Sequence, residues 1–127
     1  MPPTAALAAE RSPRFREIVE LILSDPTLSH VYFDISWDEV AKYAVASPEA
    51  IRNTATILNK YPDRFLFGTD NVAPADQATQ LRVYKLWDPI WQLLTPEASQ
   101  KIRLGNYERL FDAARVRVRT WEAANVK

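Results

Sequence analysis

Arg64-Phe-Leu-Phe-Gly-Thr-Asp70 is a short apolar run that stops on a glycine and then presents a carboxylate. A buried strand that delivers an acid to the edge of a sheet is how many α/β enzymes place a catalytic or metal-binding group. The chain has only two glycines, Gly68 in this run and Gly105 in Leu104-Gly-Asn-Tyr-Glu-Arg-Leu-Phe111. Both fall where one structural element is expected to give way to the next.

Upstream, His30 to Ser36 is a second run of apolar, aromatic and β-branched residues, short enough to be a strand buried on both faces of a parallel sheet. Between the two strands, Val40, Tyr43 and Ala44 suggest a short helix over 37–46. Ser47-Pro48-Glu49 then reads as an N-cap with proline at the first helical position, followed by the apolar stripe Ile51, Ala55, Leu58 and Tyr61. Pro62-Asp63 closes that helix. Ser12-Pro13 carries the same cap signature ahead of Phe15, Ile18, Val19 and Ile22, predicting a first helix that ends by Asp25-Pro26.

Downstream, Asp76 to Leu94 is helical in pattern and rich in large side chains, with Pro89 forcing a kink or a break. Thr95-Pro96-Glu97 starts another helix. Gly105 is expected to terminate it, and Asn106 to cap a last helix whose apolar stripe is Tyr107, Leu110, Phe111, Ala114, Val118 and Trp121. Trp87, Trp91 and Trp121 read as packing residues.

The bulk composition narrows the function classes. At 127 residues and 47% hydrophobic, the chain is long enough for one domain with a real core. Sixteen basic and sixteen acidic residues cancel, so no global field favours nucleic acid or an anionic membrane. Arg109, Arg115, Arg117 and Arg119 are interleaved with Glu108, Asp112 and Glu122, as on a solvated helix face. Cysteine is absent, which removes thiolate metal sites and fits a reducing compartment; a cytoplasmic location is the expectation. No apolar run approaches the ~20 residues of a membrane span. Residues 1–11 read as a frayed, flexible segment, with the folded unit over 12–127.

The order helix, strand, helices, strand, helices is a βαβ unit with helical surroundings. Two strands are too few, because a greasy parallel pair leaves open edges that invite pairing. The chain is therefore expected to be a piece of a larger fold or to complete its sheet by self-association.

Three segments in order, Val31-Tyr-Phe-Asp-Ile-Ser36, Tyr61-Pro-Asp-Arg-Phe-Leu-Phe-Gly-Thr-Asp70 and Gly105-Asn-Tyr-Glu-Arg-Leu-Phe111, together resemble the C-terminal end of amidohydrolase-related proteins. These are metal-dependent hydrolases and decarboxylases on a (β/α)8 barrel. The resemblance covers roughly 30–121. It implies a partial TIM barrel in which Val31 to Ser36 is like the seventh strand and Phe65 to Asp70 like the eighth. It also implies that Asp70 binds a divalent metal, zinc or manganese, or takes a proton from the metal-bound water. A bound metal lowers the pKa of water to ~7, and an adjacent carboxylate can then orient that water and accept its proton. Without the resemblance, Asp70 followed by Asn71 reads as a turn cap.

Around that acid, Asp34, Ser36, Trp37 and Asn71 are the candidate substrate-binding residues. Alternation puts Asp34 on the side of the strand shared with Ser36 and Tyr32. There it either hydrogen-bonds a substrate or metal-ligand network, or bridges to neighbouring backbone. Trp37 and Asn71 follow the two strands and can line a pocket mouth. The family pattern also has a His-x-His pair on the first strand and further histidines on middle strands, whereas this chain has His30 alone. At ~3.3 Å per residue His30 sits roughly 13 to 20 Å from the active end, and it reads as a surface or turn residue.

Two functions follow as expectations. The first is a C-terminal portion of a metal-dependent hydrolase, acting on a small-molecule C–N or C–O bond or in a related decarboxylation, and inactive without the missing histidines. The second is a non-catalytic half-barrel module that works through self-association, as a homo-oligomer, or through a partner such as the missing N-terminal half.

Overall fold

In the computed structural model, which describes residues 16–127, local cap chemistry sets the starts of three helices. Ser47 Oγ accepts from Ala50 N at 3.0 Å, Asp76 from Thr79 N at 2.7 Å and Thr95 Oγ1 from Ala98 N at 3.1 Å. Each satisfies a backbone donor that the first turn leaves orphaned. The first helix, α1, occupies 16–24 of the described residues and ends at Asp25, which caps a 3₁₀ turn at Pro26–Leu28. The expected 1–11 segment and the Ser12-Pro13 cap lie outside the described residues.

Strand β1 (Phe33–Asp34) is followed by α2 (Asp38–Ala44) and α3 (Pro48–Lys60), then by a 3₁₀ turn at Pro62–Arg64 and strand β2 (Phe65–Leu66). The strands pair in parallel with Phe33 opposite Phe65 and Asp34 opposite Leu66, and Ile35 N extends the ladder to Leu66 O at 2.9 Å. The chain is thus α/β, mostly helical around a two-stranded parallel sheet. Both strands are shorter than the 30–36 and 65–68 expected, since among the described residues each has only one neighbour to hold its extended backbone.

Alternation along the strands sorts their side chains. Phe33 and Phe65 lie against each other, with ring centroids 5.7 Å apart, and Ile35 joins the same apolar side. Phe67 stands edge-on to Tyr84, Trp87 and Trp91, with centroids 5.5, 5.7 and 4.9 Å away. These partners come from α4 (Gln77–Leu86) and α5 (Asp88–Trp91), which are separate because Pro89 cannot continue the helix. Trp87, Ile90, Leu58 and Ile102 are the centre of the core. The indole N–H groups of Trp87 and Trp91 are buried without a partner among the described residues. Each orphaned donor costs about 1–3 kcal/mol. Burying 150–250 Å² of tryptophan contributes roughly 4–6 kcal/mol, so packing prevails.

The C-terminal third departs from the expected pattern. Helix α6 (Pro96–Gln100) does not stop at Gly105. It passes through two wide π-type turns, Lys101–Gly105 and Glu108–Asp112, into α7 (Ala113–Asn125). Asn106 has helical dihedrals and is 1% exposed, so it caps nothing. Its Nδ2 donates to Pro62 O at 2.7 Å and to Phe65 O at 2.8 Å, and Arg109 Nη2 donates to Asp63 O at 2.9 Å. The long helix is thereby fastened to the entrance of β2. Beyond that clamp the expected burial fails. Tyr107, Phe111, Val118 and Trp121 are exposed, Leu110 and Ala114 are partly covered, and no residue of α7 is buried. Among the described residues no helix is long and apolar enough to cross a membrane.

Candidate functional site

Parallel strands present their C-terminal ends together, and here both ends carry polar residues. From β1 come Asp34, Ser36 and Trp37, and from β2 come Thr69, Asp70 and Asn71. Ser36 and Gly68 are neighbours across the pair: a Cβ built on Gly68 would lie 3.0 Å from Ser36 Oγ. Glycine at this position lets the serine hydroxyl sit against the β2 backbone.

Asp34 accepts from Ser36 N at 2.8 Å through Oδ1, which shapes the chain as it leaves β1. This is the backbone-bridging role, and it uses one of the carboxylate's two oxygens. His30 is exposed in the turn before β1, far from this end of the strand.

After β2 the loop is tied by its neighbours rather than by the acid. Thr69 Oγ1 accepts from Gln80 Nε2 at 3.1 Å and from Asn71 N at 3.4 Å. Asn71 Nδ2 donates to Gln80 Oε1 at 3.2 Å and, at longer range, to the carbonyls of Thr79 and Gln80. Asn71 therefore fastens the loop to α4 and is turned toward that helix. Asp70 is exposed, and among the described residues its carboxylate has neither a hydrogen bond nor an ion pair. It is not the turn's cap.

Two residues at this end have left-handed backbone: Trp37 with φ 89° and Asp70 with φ 50°. Ala73 in the same loop has φ 48°. Non-glycine residues pay for this conformation, and such strain collects at functional sites. Trp37 follows β1 directly and is half-exposed. The strain left no mark in the sequence, because none of these three residues is a glycine. Gln80 carries no sequence signal either, since its contact to Thr69 crosses from a loop to a helix.

Among the described residues, no three His, Cys, Asp or Glu side chains gather into a group that could hold a metal. Asp70 offers one free carboxylate and Asp34 one spare oxygen, short of the three protein ligands a catalytic zinc normally takes. The described residues on their own do not fit a resident transition metal. An apolar cavity of about 420 Å³ lies elsewhere, among Val19, Ile35, Val40, Ile57, Phe65 and Trp87. It is on the helix-covered side of the sheet, and neither Asp70 nor Asp34 lines it. No family model matches the sequence, and no curated protein or solved structure matches it either.

Proposed function

We propose that this chain is the C-terminal portion of a metal-dependent hydrolase of the amidohydrolase type, a partial (β/α)8 barrel carrying the last two strands. One observation carries the reading: Asp70 stands unpaired, in left-handed backbone, immediately beyond the C-terminal end of a parallel strand. Carboxylates at that position of parallel α/β sheets are where such folds put chemistry. The role proposed for Asp70 is to supply one ligand or one proton acceptor to a divalent-metal centre, zinc or manganese, whose other ligands come from outside the described residues. Asp34, Ser36 and Trp37 border the substrate, and Asn71 holds the Asp70 loop on α4. The substrate is a small molecule with a hydrolysable C–N or C–O bond, or a carboxylate to be lost.

Mn²⁺ titration followed by paramagnetic broadening of the amide spectrum tests the role of Asp70. The amides of 34–37 and 69–71 are expected to broaden first, at ~mM metal as befits one or two carboxylates. Asp70→Asn should abolish that selectivity. Broadening no stronger there than around other exposed acids such as Glu49 would count against the reading. So would tight stoichiometric binding that survives Asp70→Asn.

A further inference from the structure

Among the described residues, α7 leaves its apolar face uncovered. Among the described residues nothing packs α7 into the core. α7 is the outer end of the long helix that starts at Pro96 and is clamped at Asn106, so it is its uncovered apolar face that calls for a partner. It carries a seam that specifies one. Phe111, Ala114, Val118 and Trp121 recur at spacings of three, four and three, the a/d pattern by which one helix packs on another, and Tyr107 joins their start across the π-type turn Glu108–Asp112 through its stack on Phe111. Tyr107 is 49% exposed, Phe111 51%, Val118 52% and Trp121 61%. The Tyr107 and Phe111 rings stack with centroids 4.9 Å apart and so form one platform.

We propose that this seam is the interface of a homodimer, in which two copies of the chain pair their C-terminal helices. The flanking charges suit a second copy. With the helices parallel, Arg117 faces Glu122 of the second copy; with them antiparallel, Glu108 faces Arg115 of the second copy. Like charges do not meet across the seam in either arrangement, and such flanking pairs set partner choice. The three half-exposed aromatic rings present roughly 240 to 400 Å² per copy. With Val118 and the arginine stems, two copies approach the ~1,000 Å² at the low end of specific interfaces, which makes the pairing reversible and concentration-dependent. The sheet is the poorer candidate, since each strand offers a two-residue edge. The pairing holds whether or not Asp70 belongs to a metal centre.

Sedimentation equilibrium from ~5 to 500 µM tests the proposal. The expected result is an average mass rising from the monomer's 14.5 kDa toward twice that value. Phe111→Glu with Trp121→Glu should hold the chain at the monomer mass throughout. Val116→Glu, half a turn round the helix at a residue already 67% exposed, should dimerise like the parent. Hydrogen exchange on the unmodified chain provides a reading independent of variants: amides of 113–125 should gain protection as concentration rises while those of 55–58 do not change. A chain monomeric at every concentration overturns the proposal. A dimer that survives the double substitution, or one lost equally with Val116→Glu, overturns it as well.

Discussion

Replacing Asn106 with aspartate separates two roles that the same residue could have in the long C-terminal helix. As an N-cap, asparagine and aspartate are nearly equivalent, and the change would be close to neutral. As the clamp seen in the structure, Asn106 uses both Nδ2 hydrogens on carbonyl oxygens that can only accept, Pro62 O at 2.7 Å and Phe65 O at 2.8 Å. Asn106→Ala removes these two hydrogen bonds and the 3.4 Å contact from Arg109 Nη2, and leaves the Phe65 carbonyl oxygen without its buried donor, a loss of about 2–4 kcal/mol. Aspartate keeps the 3.4 Å contact from Arg109 Nη2 to Oδ1 but turns its other acceptor oxygen toward two acceptor carbonyls in a site 1% exposed, which makes it worse than alanine. The expected order of stability is parent, then Asn106→Ala, then Asn106→Asp. Urea unfolding with linear extrapolation reads it, provided the slope m is shared by the three proteins. Asn106→Asp within about 0.5 kcal/mol of the parent would refute the clamp and restore the cap.

The other predictions rest on separate parts of the fold. Phe65→Ala should cost about 3–5 kcal/mol in the same assay, because Phe65 is buried between the sheet and the core. Leu110→Ala should cost closer to ~1 kcal/mol, since Leu110 is only partly covered. Asp70→Gly should leave stability unchanged or raise it by up to ~1 kcal/mol, because glycine takes φ 50° without the penalty of a side chain. Acid should weaken the fold through Asp76 and Asp25. The Thr79 backbone N–H holds the Asp76 carboxyl below its ordinary value, and Thr27, hydroxyl first and then backbone N–H, does the same for Asp25. Lowered folded-state pKa values give stability that is complete above the ordinary carboxylate range and lost as pH falls through the lowered values. Asp76→Asn keeps the cap while removing its titration, so thermal unfolding from pH 5 to pH 2 should show a flatter acid limb.

Three helix starts are legible because the decisive contacts are local: Ser47, Asp76 and Thr95 each bond a donor three residues on. The break at Pro89 was legible for the same reason. Asn106 was misread because its partners are 41 and 44 residues upstream, and nothing in Gly105-Asn106 distinguishes a cap from a clamp. The α7 stripe was legible as an amphipathic helix, but periodicity cannot say whether the apolar face meets this chain's core or another surface. At the candidate site, sequence placed Asp70 beyond β2 and Asp34 beside Ser36. The left-handed turns at Trp37 and Asp70 and the Gln80 tie to Thr69 emerge only when the two strand ends are set side by side.

The most direct measurement of the hydrolase reading is the DNA sequence on the 5′ side of the codon for Met1. A neighbouring reading frame, in phase or interrupted, that encodes a His-x-His pair on a strand-like apolar run is the expected result. Upstream sequence with no such frame would contradict it, and Asp70 would then be an exposed loop acid without a metal to serve.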